Sequence, residues 1–517
     1  MTNLKRILCL VLVLVFAAGL ISCDQNTNKP SNTDPSDTTP KEENPFSGLD
    51  YKGASFVIQT SVNVDTASYN SSNYLIQGSD EGEADRAANS AIKRNKKVES
   101  DLNVKLTFFE SDYNFDEVGS KIRELIKANA DEIHLIINDI SALNLSTEGL
   151  YHDNLYGQYF DFSKPYWYDG LMESASLNTN TRYMLAGDYF IDVTRHSHCL
   201  IMNKDYYEEI GCDPESVYQI VRDGEWTLDK LYTIVRGGED GAHPTYQDYQ
   251  GNHKRDRRDK WGLVLWQWWG PMIPWLTTSD PGYITRDENG YPEITVNNER
   301  TLALCDKLTA LFNAEETAVG IHNDNQDTID SFVEGKILFL TYQRLGNLES
   351  EIYANTEVNL AVLPYPKLDE SQKDYISTIH DTTEVGFIPS NVAFQNMPFV
   401  SAVIEYLSQI SADTVMQDYY EWTLKIRYAR ESANAEMIQL IHDTYGNAFT
   451  LVWSLGEGGN IFNTGLYNSI SKNQSVFASF YRSIENSAKN QLASLIADDE
   501  IVREQMQREY AASGLSK

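Results

Sequence analysis

Basic residues are scarce: 42 lysines and arginines stand against 75 aspartates and glutamates, a formal charge of −33 over 517 residues. A surface of that sign repels nucleic-acid phosphates and anionic lipid heads, so no nucleic acid is expected as a partner and no basic patch as a membrane anchor. Cysteine is also rare, five in the whole chain. None lies in a C-x-x-C or zinc-like spacing, which rules out a disulfide-built scaffold and leaves redox and structural-metal chemistry without support. Despite the many acids there is no recognisable catalytic motif. What is plentiful is apolar residues, 41% of the chain, enough for a large core and, at this length, for two or three domains.

The N-terminus has its own logic. Lys5 and Arg6 precede an apolar run, Ile7 to Leu20, too short to span a bilayer comfortably but right for the h-region of a secretory signal. Leu20-Ile21-Ser22-Cys23 then resembles the bacterial lipobox. This predicts removal of residues 1–22 and acylation of Cys23. From Asp24 to about Pro45 no side chain can bury enough surface to offset ordering entropy, so 23–48 is expected to be a disordered tether. Cys9 leaves with the signal, and Cys199, Cys212 and Cys305 remain for at most one bridge.

The body begins with alternating elements. Ala54–Val62 reads as a buried strand, Ala84–Leu102 as a helix with Ala88, Ile92, Val98 and Leu102 near one face, and Val104–Phe108 as a second strand. A second helix over Phe115–Ala128 and a third strand over Ile133–Ile137 complete the pattern of a parallel sheet with covered faces. Ligands approach such sheets at the carboxyl ends of the strands, here Thr60-Ser61 and Asn138-Asp139. The same polar residues could equally serve as turn formers.

Five of the nine tryptophans fall between Lys260 and Trp275, in a segment broken by Gly270, Pro271 and Pro274. Such a segment is neither a regular helix nor a central strand. An indole face suits the C–H face of a pyranose or a cation, and it also suits a core, so some of these rings are expected to do each job.

Further on, Met202-Asn203-Lys204-Asp205 with Tyr206, Tyr207 and Glu208, closed by Gly211, looks familiar. So do Asp223-Gly224-Glu225-Trp226-Thr227-Leu228-Asp229-Lys230-Leu231, the run from Phe332 through Gly335 and Lys336 to Leu340, Leu363-Pro364-Tyr365-Pro366-Lys367, and Asn89 to Asn95. In order and spacing these resemble the extracellular solute-binding proteins of ABC importers, in the carbohydrate-binding family 1 group that includes maltose-binding protein. Met202 stands where that family usually has tyrosine. Within the motifs, Thr227 is a good helix N-cap and Asp229 adds negative charge to the first turn, so Trp226 is expected to be structural.

The resemblance implies an α/β fold of the two-lobe, periplasmic-binding-protein-like (type II) kind, with discontinuous lobes, a hinge and an interlobe ligand cleft. The first lobe would take 49–190 and 343–410; the second would take 191–342 and 411–517, with Trp422 and Trp453 on or beside it. It also implies a lipid-anchored, extracytoplasmic binding protein on the outer face of a bacterial cytoplasmic membrane. Such a protein captures a carbohydrate, here an oligosaccharide, by lobe closure and delivers it to permease subunits as a monomer, with no cofactor and no enzymatic step. The ligand-binding residues expected on this reading are Thr60, Ser61, Asn138, Asp139, Asp192, Thr194, Arg195, Trp266, Trp268, Trp269, Tyr342, Arg344, His380 and Asp381. The plain alternative for each is a hinge-packing or loop role.

His196 and His198 share a strand face, as metal ligands can, but no third ligand is evident and packing or hydrogen bonding is expected. Asn323–Asp327 lacks the glycine and glutamate of a calcium loop, so no metal is expected there either. Two other functions stay open: a secreted glycosidase, which would also place tryptophans and paired carboxylates in a cleft, and the same fold binding a peptide or polyamine.

Overall fold

The strand, helix, strand alternation expected near the start is what the chain forms. A computed structural model describes residues 45–64, 72–79, 86–129, 132–238, 242–321, 325–350, 353, 356–420, 432–456, 461–471 and 476–515. The signal, Cys23, most of the tether, Asn323, Asp324 and Trp422 lie outside these residues. β1 (Ala54–Asn63), α1 (Arg86–Leu102), β2 (Val104–Tyr113), α2 (Val118–Asn129) and β3 (Leu135–Asp139) follow one another, with β1 parallel to both β2 and β3. α1 buries Ala88, Val98 and Leu102 as its spacing requires, while Ile92 is only half-buried. The inward face instead carries Arg94, whose guanidinium bonds Ile76 O and lies 4.8 Å from the Tyr189 ring centre.

The second sheet comprises β4 (His198–Asn203), β5 (Trp261–Leu265), β6 (Thr317–Val319), β7 (Ile337–Arg344) and β8 (Leu360–Leu363), in the order β8-β4-β7-β5-β6. Its helices include α3 (Lys204–Glu209), α4 (Leu228–Gly237), α5 (Glu299–Phe312) and α6 (Asn325–Val333). The last strand, β9 (Glu384–Phe387), returns to the first sheet, antiparallel to β3, giving the order β9-β3-β1-β2. The segment 343–410 therefore divides: β8 pairs with β4 in the second sheet, and the chain rejoins the first sheet only after residue 377.

The motifs that carried the resemblance prove to be structural. Asn203 caps α3 by accepting from Tyr206 N at 2.8 Å, and Thr227 caps α4 by accepting from Lys230 N at 3.3 Å. Two motifs distant in sequence hold each other. Leu228 N donates to Lys367 O (2.8 Å), Lys367 N to Trp226 O (3.0 Å), and the Trp226 indole N–H to Pro364 O (2.9 Å).

The C-terminal quarter keeps to neither sheet. α7 (Met397–Asp413) packs on α1, and its buried Glu405 accepts from Tyr166 OH (2.6 Å) and Trp167 Nε1 (2.8 Å). α8 (Ser432–Asp443) packs on β8 through Asn434, which accepts from Val362 N and donates to Leu360 O. Trp453 donates to Ala175 O at 2.8 Å, inside the segment read as the first lobe. After α9 (Leu466–Ser471), the long α10 (Phe477–Ser513) touches both sides. Tyr510 meets Tyr156 at 4.6 Å between ring centres, and Tyr291 OH donates to Asp499 at 2.9 Å. Residues 48–517 consequently form one compact unit.

Trp226 is fully buried and joins two motifs, so Trp226→Ala should cost about 3–5 kcal/mol of stability in urea unfolding. A loss under about 1 kcal/mol would show that the indole is not the clamp described.

Candidate functional site

The chain passes between the sheets in two neighbouring segments, and they pair with each other. Ser197 and Ile379 form an antiparallel bridge, His198 N donates to Thr378 O (2.9 Å) and His380 N to His196 O (3.0 Å). The end of β7 joins them, Arg344 lying opposite His198 in the ladder. Around this junction Asp139, Asp192, Arg195, His196, His198, Arg344 and Glu384 are all buried.

Asp192 is the tie. Its Oδ1 accepts from Ser72 Oγ (2.6 Å), its Oδ2 accepts from Glu384 N (2.8 Å), and Oδ2 lies 3.1 Å from His196 Nδ1. Arg195 makes a two-pronged pair with Glu349 (2.9 and 3.0 Å) and donates to Ser72 Oγ (2.7 Å), while Tyr419 OH donates to the same glutamate (2.6 Å). A bidentate, hydrogen-bonded pair is the form in which a buried charge is tolerated.

Titration follows from burial. Burial pushes the Asp139 carboxyl up to about 7, the nearby Asp381 and Asp192 charges adding to it, and pushes Asp381 up to about 6. Glu384, opposite Asp139 in the ladder, is raised well above the usual range by burial and then by Asp192 and Asp139. The imidazoles go the other way. Burial, then the Arg344 charge, lowers His196 and His380 strongly and His198 to about 3. Near neutral pH the site therefore holds neutral imidazoles and carboxyls that keep part of their protons, a mixture of donors and acceptors with little net charge.

The aromatic wall is organised by Tyr342. Between Cys199 and Ile201 the β4–β7 register shifts, so that Leu200 of β4 faces two residues of β7, Thr341 and Tyr342. Tyr342 sits in that bulge with φ +57°, a left-handed conformation costing roughly 1–2 kcal/mol for a bulky residue. A bulge re-aims a side chain, and here the ring stacks on His198 at 5.3 Å with its hydroxyl 2.8 Å from His380 Nε2. Trp266 and Trp268 each meet Tyr342 nearly edge-on at 5.7 Å, and Trp269 meets Trp268 at 5.7 Å.

The tryptophan stretch thus splits as its broken sequence suggests. Trp261 and Trp275 are fully buried, Trp266 is half-buried with its N–H on Thr328 Oγ1 (3.1 Å), and Trp268 and Trp269 are 42% and 39% exposed. Gly270 leaves the space that the Trp268 indole occupies, since a Cβ there would overlap the ring.

Of the residues expected to bind ligand, the structure brings Asp139, Asp192, Arg195, Arg344, His380 and Asp381 into the junction and sets Tyr342, Trp266, Trp268 and Trp269 beside it. Four point elsewhere. Ser61 and Asn138 are bonded to each other at 2.8 Å inside the first sheet. Thr60 is held by Gln77 (3.2 Å), and Thr194 faces Tyr168 OH (3.4 Å) on the far side of the crossing. All four are buried, their polar groups used for packing the chain. Ser72, Glu349, Glu384 and Tyr419 were missed. Only Glu384 carried a signal, an acid opening an otherwise apolar strand; the others are loop or helix residues that matter only because of what lies opposite them. Cys199, Cys212 and Cys305 are free thiols, and among the described residues no cluster of His, Cys, Asp and Glu could hold a metal ion.

No protein-family model and no curated protein matches the chain. Solved structures do. UgpB from Mycobacterium tuberculosis in complex with glycerophosphocholine aligns at a TM-score of 0.50 and 14% identity over 80% of this chain and 96% of that one. The chain has the fold of a solute-binding protein. This is the two-lobe, periplasmic-binding-protein-like α/β architecture, and at this identity the likeness concerns fold. An ABC transporter solute-binding protein from Agrobacterium radiobacter K84 in complex with ribitol aligns at 0.49 and 12% identity, over 85% of this chain and 99% of that one. A cyclo/maltodextrin-binding protein complexed with maltotetraose gives the same score and identity over 88% and 98%.

Asp139 supplies a pH test. Its folded pKa, about 7, lies above the unfolded value near 3.8, so its contribution is fully present below pH 4 and is lost as pH rises toward 7. Asp139→Asn should therefore gain stability relative to the parent between pH 4.5 and 7.5, read as urea midpoints. A gap between the two proteins that does not change over that range would contradict the assignment.

Proposed function

We propose that this chain is an extracytoplasmic solute-binding protein of an ABC importer, held to the outer face of a bacterial cytoplasmic membrane by lipid on Cys23. It captures a carbohydrate, an oligosaccharide, at the junction between its sheets and presents it to permease subunits as a monomer. The observation that carries the reading is the pairing of exposed Trp268 and Trp269 with the Tyr342–His380 hydrogen bond beside a nearly neutral set of imidazoles and carboxyls. A pyranose needs an apolar face to stack on and mixed donors and acceptors for its hydroxyls. The site offers both. The lobes as ligand-clasping bodies would be the first sheet with its helices and the second with its own, and closure would bend the paired segments around residues 191–198 and 377–384.

A second reading has its own support. Acidic groups next to exposed indoles also suit an ammonium-bearing solute, such as a polyamine or a basic peptide, and UgpB of the same fold is in complex with glycerophosphocholine, which carries such a group. A secreted glycosidase would use raised carboxyls such as Asp139 and Glu384 as acids.

A thermal-shift panel of mono- and oligosaccharides, peptides, polyamines and choline esters separates these readings. Saccharide at 100 times its Kd stabilises the folded state by about 2.7 kcal/mol, and Trp268→Ala should weaken binding at least tenfold with little loss of stability. Stabilisation by amines alone would replace the carbohydrate with a cation. Turnover of oligosaccharides or aryl glycosides at enzyme-like rates would replace the receptor with a hydrolase.

A further inference from the structure

The indole of Trp266 has a second side. Beside it lies a cavity of ≈ 160 Å³, bounded by Trp266 and Gln267 after β5, Asn313 after α5, and Tyr467, Ile470 and Ser471 of α9. A cavity of about 150 Å³ accepts one six-membered ring, as benzene in a wholly apolar site shows. This cavity is not wholly apolar. Leu265, Met272, Phe312, Val319 and Ile470 join the indole in an apolar wall, and Gln267, Asn313, Tyr467 and Ser471 add amides and hydroxyls to it. Among the described residues the side chains of Gln267, Tyr467 and Ser471 have no hydrogen-bond partner. Gln267 is given room by Gly320, which has φ +64° and where a Cβ would stand 2.8 Å from Gln267 Oε1. A six-membered ring that brings its own hydroxyls fits that lining better than a hydrocarbon ring, because each available amide and hydroxyl then gains a partner.

Position adds to size. Trp266 is fixed by its bond to Thr328 and meets Tyr342 at 5.7 Å. It is thus a shared wall, with the Trp268–Tyr342 surface on one side and the cavity on the other. We propose that the cavity is a second subsite for a single pyranose ring, filled by the end ring of an oligosaccharide whose remaining rings lie on the Trp268–Tyr342 surface. The inference rests on the carbohydrate reading above and adds a device for measuring chain length. A monosaccharide satisfies the first surface alone; a longer chain gains contacts past Trp266.

The test is isothermal titration of the chain from residue 24 onward with gluco-, manno- and xylo-oligosaccharides of one to four rings, using the parent, Ser471→Trp and Gln267→Ala. Ser471 lies at the exposed mouth, so an indole there fills the cavity without entering the core; Gln267→Ala removes a polar partner without adding bulk. Both variants should keep the monosaccharide Kd within twofold and raise the tri- or tetrasaccharide Kd at least tenfold, with unchanged melting temperatures. If the parent binds saccharides and both variants bind the longest as tightly as the parent does, the subsite is overturned and the carbohydrate reading stands. If the parent binds none of the series, both fall.

Discussion

Burial of charge where the chain passes between its two sheets is the constraint from which the rest follows. Two segments far apart in sequence lie side by side there, and water is largely excluded. Each ionic group must then be paired or neutral. Arg195 is paired with Glu349, and Asp192 takes a hydroxyl and a backbone N–H. Hydrogen bonds do not wholly offset the burial: Asp139, which accepts from Ser141 N, and Asp381, beside His380, still move up, and the three histidines move down. The outcome is a polar junction with little net charge inside a strongly acidic protein. Such a junction suits a neutral solute rich in hydroxyls.

The same place holds the chain's local irregularity. An extra residue in β7 puts Tyr342 in the left-handed region, and that displacement carries its ring onto His198 and its hydroxyl to His380. Regular pleating would send this side chain according to strand alternation alone. Strain of this kind persists when surrounding contacts hold it, and here Tyr365 OH accepts from the Tyr342 backbone N at 2.9 Å. Trp266 and Trp268 then pack edge-on against the ring, which leaves Trp268 and Trp269 as the exposed end of a continuous aromatic series.

Much of the first sheet was legible: period-2 and period-3.6 patterns survive in β2 and α1, each with one buried face, while β1 and β3 show as short apolar runs. The tryptophan stretch was legible as a mixture, since Gly270 and the prolines announce an irregular loop while saying nothing about which indole faces inward. The point at which the chain returns to the first sheet was not. β8 reads Leu-Ala-Val-Leu, fully buried, and a short apolar run carries no information about which sheet it joins. Nor could sequence assign α10, whose sparse buried positions, Asp499, Met506 and Tyr510 among them, serve partners on both sides. At the site, the rule that ligands approach carboxyl ends picked Thr60, Ser61, Asn138 and Asp139; Asp139 lies at the junction and the other three turn inward. Glu349 and Ser72 were invisible because their meaning lies wholly in Arg195 and Asp192 opposite.

Hydrogen–deuterium exchange with and without saturating saccharide addresses the central claim most directly, since it reports where on the chain a ligand acts. Protection confined to residues 266–270, 342–345 and 378–384 is the predicted result, because the exposed indoles, the bulge and the returning segment meet at one place. Unchanged exchange in all three segments, with protection elsewhere on the chain, would contradict the account.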